Sequence, residues 1–376
     1  MTKTTTKTRT QPHAPPATKP LPIFDGHNDV LLSLYLPERG KSRSFFKRSA
    51  KGHIDLPRAH EGGFAGGMFA VFIPNERSEE DKKKKHDPDE GLVKTPDGYE
   101  FPLPPALELG YAQRMAFAVS ARLFRLEAES NGQLKVVRTA DELERCLRDG
   151  VIAAVLHFEG AEAIDPDLNA LYVFHRAGLR SLGPVWSRPT IFAHGVPFKF
   201  PHSPDTGPGL TDAGRALVRA CNELGIMLDV SHLNEKGFWD LAALTNAPIV
   251  ASHSCVHAIS ACTRNLTDKQ LDAIGESNGL VGINYNVGFA RPDGQPNADM
   301  PLSVLADHVA YVAERIGVEH VALGSDFDGA QMPNELKDAA GLPKLVDTLR
   351  ARGFDGAALR QIAHENWVRV LRATWK

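Results

Sequence analysis

Asp25-Gly26-His27-Asn28-Asp29 follows the short apolar run Leu21-Pro22-Ile23-Phe24. If that run is a strand, its side chains alternate, and His27 and Asp29 fall on the same side at its end. A histidine and a carboxylate two residues apart at the end of a buried strand make a ready pair of metal ligands. His-x-Asp is equally a common polar turn, so the pair takes its meaning from what the chain does elsewhere.

Short apolar runs recur at 22–24, 67–73, 151–156, 179–183, 226–230, 248–251, 279–284 and 320–324, each ending in polar residues. Near-continuous apolar runs suit strands covered on both faces. Helical patterns separate most of them. Residues 211–225 can be capped by Thr211 and closed by Gly225, with Leu217, Val218, Cys221 and Leu224 on one face. Residues 302–316 carry the stripe Leu305, Val309, Val312 and Ile316. Eight alternations predict an α/β fold, a (β/α)8 TIM barrel rather than an open doubly wound sheet. No GxGxxG follows the first strand, which argues against dinucleotide binding.

Residues 1–20, rich in Thr, Lys and Pro, read as a disordered tail, and 21–376 as a single catalytic barrel domain. Loop insertions are expected near 42–51 and 77–100. The first is basic and carries Phe45-Phe46; the second carries Lys82-Lys83-Lys84-Lys85 among acidic residues. Both follow early strands, on the side where barrel active sites form. They read as solvated decoration or as a lid.

The composition is that of a globular enzyme: 376 residues, 42% hydrophobic and 24% charged. A net charge of -3 gives no reason to expect a nucleic-acid or anionic-membrane partner. Cys146, Cys221, Cys255 and Cys262 are scattered without CxxC spacing, which disfavours disulfides and a cysteine zinc site and fits a reducing compartment. The N-terminus lacks the apolar core of a secretory signal, and no run of about 18 apolar residues suggests a membrane span.

Ligand-type residues fall at the strand ends: His27 and Asp29 at the first, Glu159 at the third, His232 at the fifth, His253 at the sixth, Asp326 at the eighth. In a barrel these ends converge on one rim, where catalysis occurs. Three histidines and three carboxylates suit zinc or a similar divalent ion. They exceed what one catalytic ion needs, and two neighbouring ions require a bridging anion. No lysine sits at a strand end to be carboxylated, so Glu159 is the expected bridge. His27 and Asp29 then hold one ion, His232 and His253 the other. Asp326 faces the bridging water and can carry its proton to a leaving group.

Asp25-Gly26-His27-Asn28-Asp29, Phe158-Glu159-Gly160, Leu228-Asp229-Val230-Ser231-His232, Ser252-His253-Ser254, Thr263-Arg264-Asn265 and Gly324-Ser325-Asp326-Phe327-Asp328-Gly329, in this order, resemble the membrane (renal-type) dipeptidase family, peptidase family M19 of the amidohydrolase superfamily. The resemblance runs from about Pro22 to the end and is nearest to a bacterial branch. It implies a barrel of the metallo-dependent hydrolase type, two Zn2+ or other divalent ions per chain, and a dipeptide substrate cleaved through a metal-bridging hydroxide, with a D-residue tolerated at the C-terminal position. It implies His27, Asp29 and Glu159 as ligands of one zinc and Glu159, His232 and His253 as ligands of the other. It makes Asp326 the acid/base and Arg264 the grip on the substrate carboxylate, which a guanidinium fork meets with two hydrogen bonds. A cytoplasmic bacterial enzyme is expected, with no nucleic-acid or membrane partner; a homodimer is one assembly this allows.

One position departs from the resemblance. Mammalian-type members carry a Thr-His-Ser run after strand four, whose histidine lies at the scissile carbonyl. Here the chain reads Gly183-Pro184-Val185-Trp186-Ser187-Arg188, so Trp186 replaces that histidine, and His194 or Arg188 are candidates to serve instead. Hydrolysis of an N-acyl amino acid, a cyclic amide or a β-lactam is therefore the alternative reaction, and a non-hydrolytic metal-binding tailoring protein a further one. His157 reads as a core or supporting histidine, Asp328 as a turn residue or an orienter of Asp326, and His257 as a weaker ligand candidate. No Gly-x-Ser-x-Gly supports a serine hydrolase.

Overall fold

In the computed structural model, residues 19–36, 43–76, 91–95 and 97–376 are described. All but the last two residues of the expected tail lie outside them, as do Ser42, the lysine run and the rest of 77–90. In chain order the strands are β1 (Ile23–Asn28), β2 (Phe64–Phe72), β3 (Val93–Thr95), β4 (Gly98–Phe101), β5 (Leu134–Val136), β6 (Ile152–Glu159), β7 (Leu179–Gly183), β8 (Phe198–Phe200), β9 (Met227–Leu228), β10 (Val250–Ser254), β11 (Leu280–Ile283) and β12 (Val321–Leu323).

All eight apolar runs form strands. Five pair in parallel in the order β1-β2-β6-β7-β9, with β5 added beside β6, and three in the order β10-β11-β12. Isolated parallel bridges join Asp229 to Val250 and Asn28 to Phe327, at the edges of the two sheets. The result is a mixed α/β fold whose parallel strands curl so that their C-terminal ends share one side.

Alternation along the strands separates two cores. Met68, Ala153 and Val155 pack with Phe24, Met227, Val250, Leu280, Ala322 and the indole of Trp367. Their neighbours Phe69, Ala154 and Leu156 pack into a larger cluster with helix residues such as Leu123, Leu217, Leu305 and Val309. Burial on both faces is why these strands read as unbroken apolar runs. The helix Asp212–Leu224 is capped by Thr211 Oγ1, which accepts from Gly214 N–H, and ends at Gly225 in the left-handed region. Trp367, from the helix Asn366–Thr374, donates Nε1–H to Leu323 O at 3.2 Å.

Two features were not legible in the sequence. The insertion after β1 is packed in part: Phe45 is fully buried and Arg43 pairs with Asp328 at 3.0 Å, while Lys47, Arg48, Ala50 and Lys51 are exposed. Part of the second insertion forms the antiparallel hairpin β3-β4, which pairs with β8. Strands this short carry no period, and β8 lies about a hundred residues further on. The four cysteines are buried free thiols. Among the described residues, no helix is long and apolar enough to cross a membrane.

One buried histidine makes a stability prediction. His308, in the helix Leu302–Ile316, accepts Val256 N–H at Nδ1 (3.1 Å) and meets Ala290 O through Nε2 (2.9 Å). Burial pushes its pKa down to about 4, against an opposing pull from the Ala290 carbonyl. With the folded value below the unfolded one, its contribution is fully present above pH ~6.5 and is lost as pH falls from there toward about 4. The span corresponds to roughly 3 kcal/mol. Urea midpoints of the wild type and His308→Gln between pH 8 and 5 should converge as pH falls; a constant gap would contradict this.

Candidate metal centre

Five elements deliver the ligand-type residues to one place. Glu159 closes β6 and divides its carboxylate: Oε2 lies 3.6 Å from His27 Nε2, while Oε1 lies 3.0 Å from His232 Nε2 and 3.5 Å from His253 Nε2. His27 Nε2 is 3.4 Å from Asp29 Oδ2, and the two Nε2 atoms of His232 and His253 are 3.2 Å apart. The His27 and His253 rings stack at 3.9 Å. His27, Asp29 and Asp326 also present ligand atoms within 4.8 Å of one another, as do His27, Glu159 and His253. All six residues are buried.

The expected route to this convergence needs correction in three places. β1 loses its register between Asp25 and Asn28 and ends at Asn28. Asp29 is not a strand residue; it stands just before the helix Val30–Tyr35 without a side-chain capping bond, and its N–H donates to Phe327 O at 2.8 Å. His232 lies past the two-residue β9, in a turn, and Asp326 past β12 with a positive φ of 62°. The strands set the rim, and loop geometry completes the approach.

The electrostatics fit a divalent cation. Burial drives the carboxyls of Glu159 and Asp326 up; His27 opposes this and Asp29 adds to it. Burial alone would lower His27, but Glu159, Asp29 and Asp326 raise it to about 10; this is the pull of buried carboxylates for a positive charge, which a metal ion would answer in place of the proton. Burial holds His232 and His253 well below the usual imidazole value, so both are neutral, as ligands must be. His27 Nδ1 and Nε2 and Asp29 Oδ1 are buried without a hydrogen-bond partner, where buried polar atoms are normally paired. Converging imidazole nitrogens and carboxylate oxygens are the donor set of zinc and similar ions.

Sequence reasoning missed the supporting groups. Ser187 Oγ lies 2.9 Å from His232 Nδ1, and Ser252 Oγ lies 2.7 Å from His253 Nδ1. Asn284 donates Nδ2–H to Asp326 Oδ2 at 3.0 Å, and Asp326 N–H donates to His27 O at 3.0 Å. Asp25 accepts from Ser325 N–H and Oγ–H, tying β1 to the residues after β12. Serine and asparagine are too common for any of these to announce itself in a single sequence. Asp328 takes the first of its two expected roles: it stands in the turn that follows Asp326, at φ 65°. It holds the inserted segment, accepting from Arg43 (3.0 Å), His53 N–H (3.0 Å) and Ile54 N–H (3.4 Å).

Arg264 is buried beside the cluster, donating Nη1–H to Ser254 Oγ and Nη2–H to His253 O, both at 3.0 Å. Trp186 is half-buried, with its ring 6.1 Å from that of His232, 4.8 Å from Phe72 and 5.8 Å from Phe198. Phe198, on β8, continues to Phe289 at 5.5 Å, and Arg264 lies 5.8 Å over the Phe289 ring. An aromatic wall thus runs from His232 to Arg264. Arg188 is occupied elsewhere, donating to Ile73 O and pairing with Glu162 at 3.3 Å. His194 is half-buried, and its carbonyl accepts from Asn234 N–H. His157 meets Ser181 Oγ at 2.8 Å, and His257 Nε2 is used on His202 O, away from the cluster.

A parallel-stranded α/β fold with histidines and carboxylates gathered at the strand ends defines a metal-dependent hydrolase type. Comparison with known proteins gives the family. The family model described as membrane dipeptidase (peptidase family M19) matches residues 13–376. A crystal structure of a metallo peptidase from Rhodobacter sphaeroides, liganded with a phosphinate mimic of the dipeptide L-Ala-D-Ala, is 49% identical, with a TM-score of 0.88 over 95% of this chain and 100% of that one. An uncharacterized protein in the pqqA 5' region of Klebsiella pneumoniae is 48% identical over 68% of this chain and 94% of its own length. Dipeptidase tcpJ of Claviceps purpurea is 26% identical over 93% of this chain and 76% of its own. The chain belongs to the membrane dipeptidase family, peptidase family M19, and is an enzyme of the metal-dependent dipeptidase class.

Proposed function

We propose that this enzyme hydrolyses the peptide bond of dipeptides at a binuclear zinc centre, on a closed (β/α)8 barrel formed by a single domain from residue 21 onward, and that it accepts a D-residue at the C-terminal position. The observation that carries the reading is the division of the Glu159 carboxylate, one oxygen toward His27 and the other toward His232 and His253. The two edge bridges, β9 to β10 and β12 to β1, support closure of the barrel. The L-Ala-D-Ala mimic on the Rhodobacter sphaeroides relative supports the stereochemistry.

In this reading His27, Asp29 and Glu159 hold one ion, and Glu159, His232 and His253 the other. The ions, when bound, supply a Lewis acid for the scissile carbonyl and lower the pKa of the attacking water. Asp326 takes that water's proton and delivers it to the departing amine, with its carboxylate oriented by Asn284. Arg264 binds the free C-terminal carboxylate, its fork fixed against the end of β10. The wall of Trp186, Phe198 and Phe289 lies alongside a substrate spanning from the ions to Arg264, and favours apolar side chains.

Elemental analysis for bound metal, combined with a panel of L-L and L-D dipeptides against N-acyl amino acids, tests the reading. Two equivalents of metal and cleavage of dipeptides are expected. Turnover of N-acyl amino acids alone would overturn it, and Trp186 at the family histidine's position is what makes that comparison worth running. Arg264→Ala should lower kcat/KM about 100- to 1000-fold on free dipeptides, the worth of two charge-assisted hydrogen bonds. It should leave C-terminally amidated substrates nearly unaffected; equal loss on both would remove the assigned grip.

A further inference from the structure

Asp229 has no place in the ligand set, yet it is among the most heavily bonded side chains near it. It lies just past β9 and is buried. Its Oδ1 accepts from Ser231 N–H at 3.1 Å, Ser231 Oγ–H at 2.6 Å and Ser252 N–H at 2.9 Å. Its Oδ2 accepts the Ser252 hydroxyl. His157 Nε2 is a further 3.7 Å from Oδ2.

A carboxylate only accepts, and a serine hydroxyl has one proton to give. With the Ser252 proton committed to Asp229, Ser252 Oγ turns lone pairs toward His253 Nδ1, 2.7 Å away. Nδ1 must then carry the imidazole proton, and Nε2, which faces Glu159 and His232, keeps its lone pair. Ser231 follows the same logic: its proton goes to Asp229, and its oxygen accepts His253 N–H at 3.1 Å. One carboxylate therefore orders both hydroxyls, and both hydroxyls hold His253. The backbone at Ser252 is closely packed: a Cβ on Gly26, Gly282 or Gly324 would come within 2.0–2.1 Å of its carbonyl oxygen.

We infer that Asp229 is a positioning residue for the metal ligand His253, acting through the Ser252 hydroxyl to select the tautomer that offers Nε2. The inference rests on the proposed role of His253 as a ligand. An outer partner that orients a ligating histidine changes metal affinity about 10- to 100-fold.

The test is competition for Zn2+ between the apo-enzyme and a chelator of known affinity, with apo-protein melting measured in parallel. Ser252→Ala and Asp229→Asn should each weaken Zn2+ binding at least about tenfold, with the apo melting temperature close to wild type. Affinity near the wild-type value in Ser252→Ala would overturn the inference. If a variant also loses apo stability, Ser252→Thr decides: the retained hydroxyl should restore affinity, and failure to do so counts against the relay. His253→Ala is the separate control. If it leaves metal stoichiometry unchanged, the ligand assignment itself has failed, whatever Ser252 and Asp229 do.

Discussion

Glu159→Gln is expected to release at least one of the two metal ions proposed here and to reduce dipeptide hydrolysis about 1000-fold or more, the scale on which activated-water catalysis is lost. Among the described residues, Glu159 is the one whose two oxygens face both histidine groups. Glutamine keeps the shape but loses the charge, so nothing offsets the repulsion between two neighbouring cations. Its NH2 also puts a donor where a metal ion needs a lone pair. Burial pushes the Glu159 carboxyl up, so removing its charge relieves a desolvation cost, and the metal-free protein should tolerate the amide at little cost. The predicted signature is therefore conditional. Melting temperatures of wild type and variant should agree in excess chelator and separate when Zn2+ is added, because ligand binding stabilises only the form that binds. Retention of two equivalents of metal by the variant would refute the bridging role.

Asp326→Asn is expected to do the reverse: keep the metal and lose the chemistry. Proton transfer by a positioned side chain is worth about 100- to 10000-fold, and turnover should fall by that factor while metal content stays unchanged. Asparagine is the right probe because residue 326 sits at φ 62°, a left-handed conformation that Asn and Asp tolerate better than other L-residues. The Asp326 N–H bond to His27 O can persist, and a side-chain oxygen remains for Asn284. An alanine there would confound loss of the proton carrier with collapse of the turn. Near-normal turnover by the asparagine variant would end the acid/base assignment.

The two substitutions separate what the centre asks of its carboxylates. Glu159 is argued to hold charge in place, Asp326 to move a proton. Both are buried and both are pushed up by burial, so the pKa direction alone does not tell them apart. The difference is in neighbours: Glu159 faces three imidazoles, while Asp326 faces Asn284 on one side and the cluster on the other.

Much of this protein was readable in its sequence. Eight apolar runs separated by helical patterns became eight parallel strands, because strands buried on both faces must be apolar throughout. Polar residues ending those runs became the rim cluster, since parallel strands linked by helices all point their C-terminal ends the same way. Tertiary structure decided the rest. The bulge in β1 and the turn after β9 bring Asp29 and His232 to distances that strand alternation alone does not predict. β3, β4 and β8 are too short to have a period, and the β3-β4 hairpin meets β8 only across about a hundred residues, yet β8 places Phe198 in the wall beside His232. Asp229 and Ser252 stand within the motif stretches and Ser187 and Asn284 outside them, but none announces its role, because a hydrogen-bonding partner is defined by distance, not by residue type. The sequence by itself determined which atoms can bind a metal. The folded chain decided how they face one another, because directions within the site are set by contacts between segments far apart in the chain.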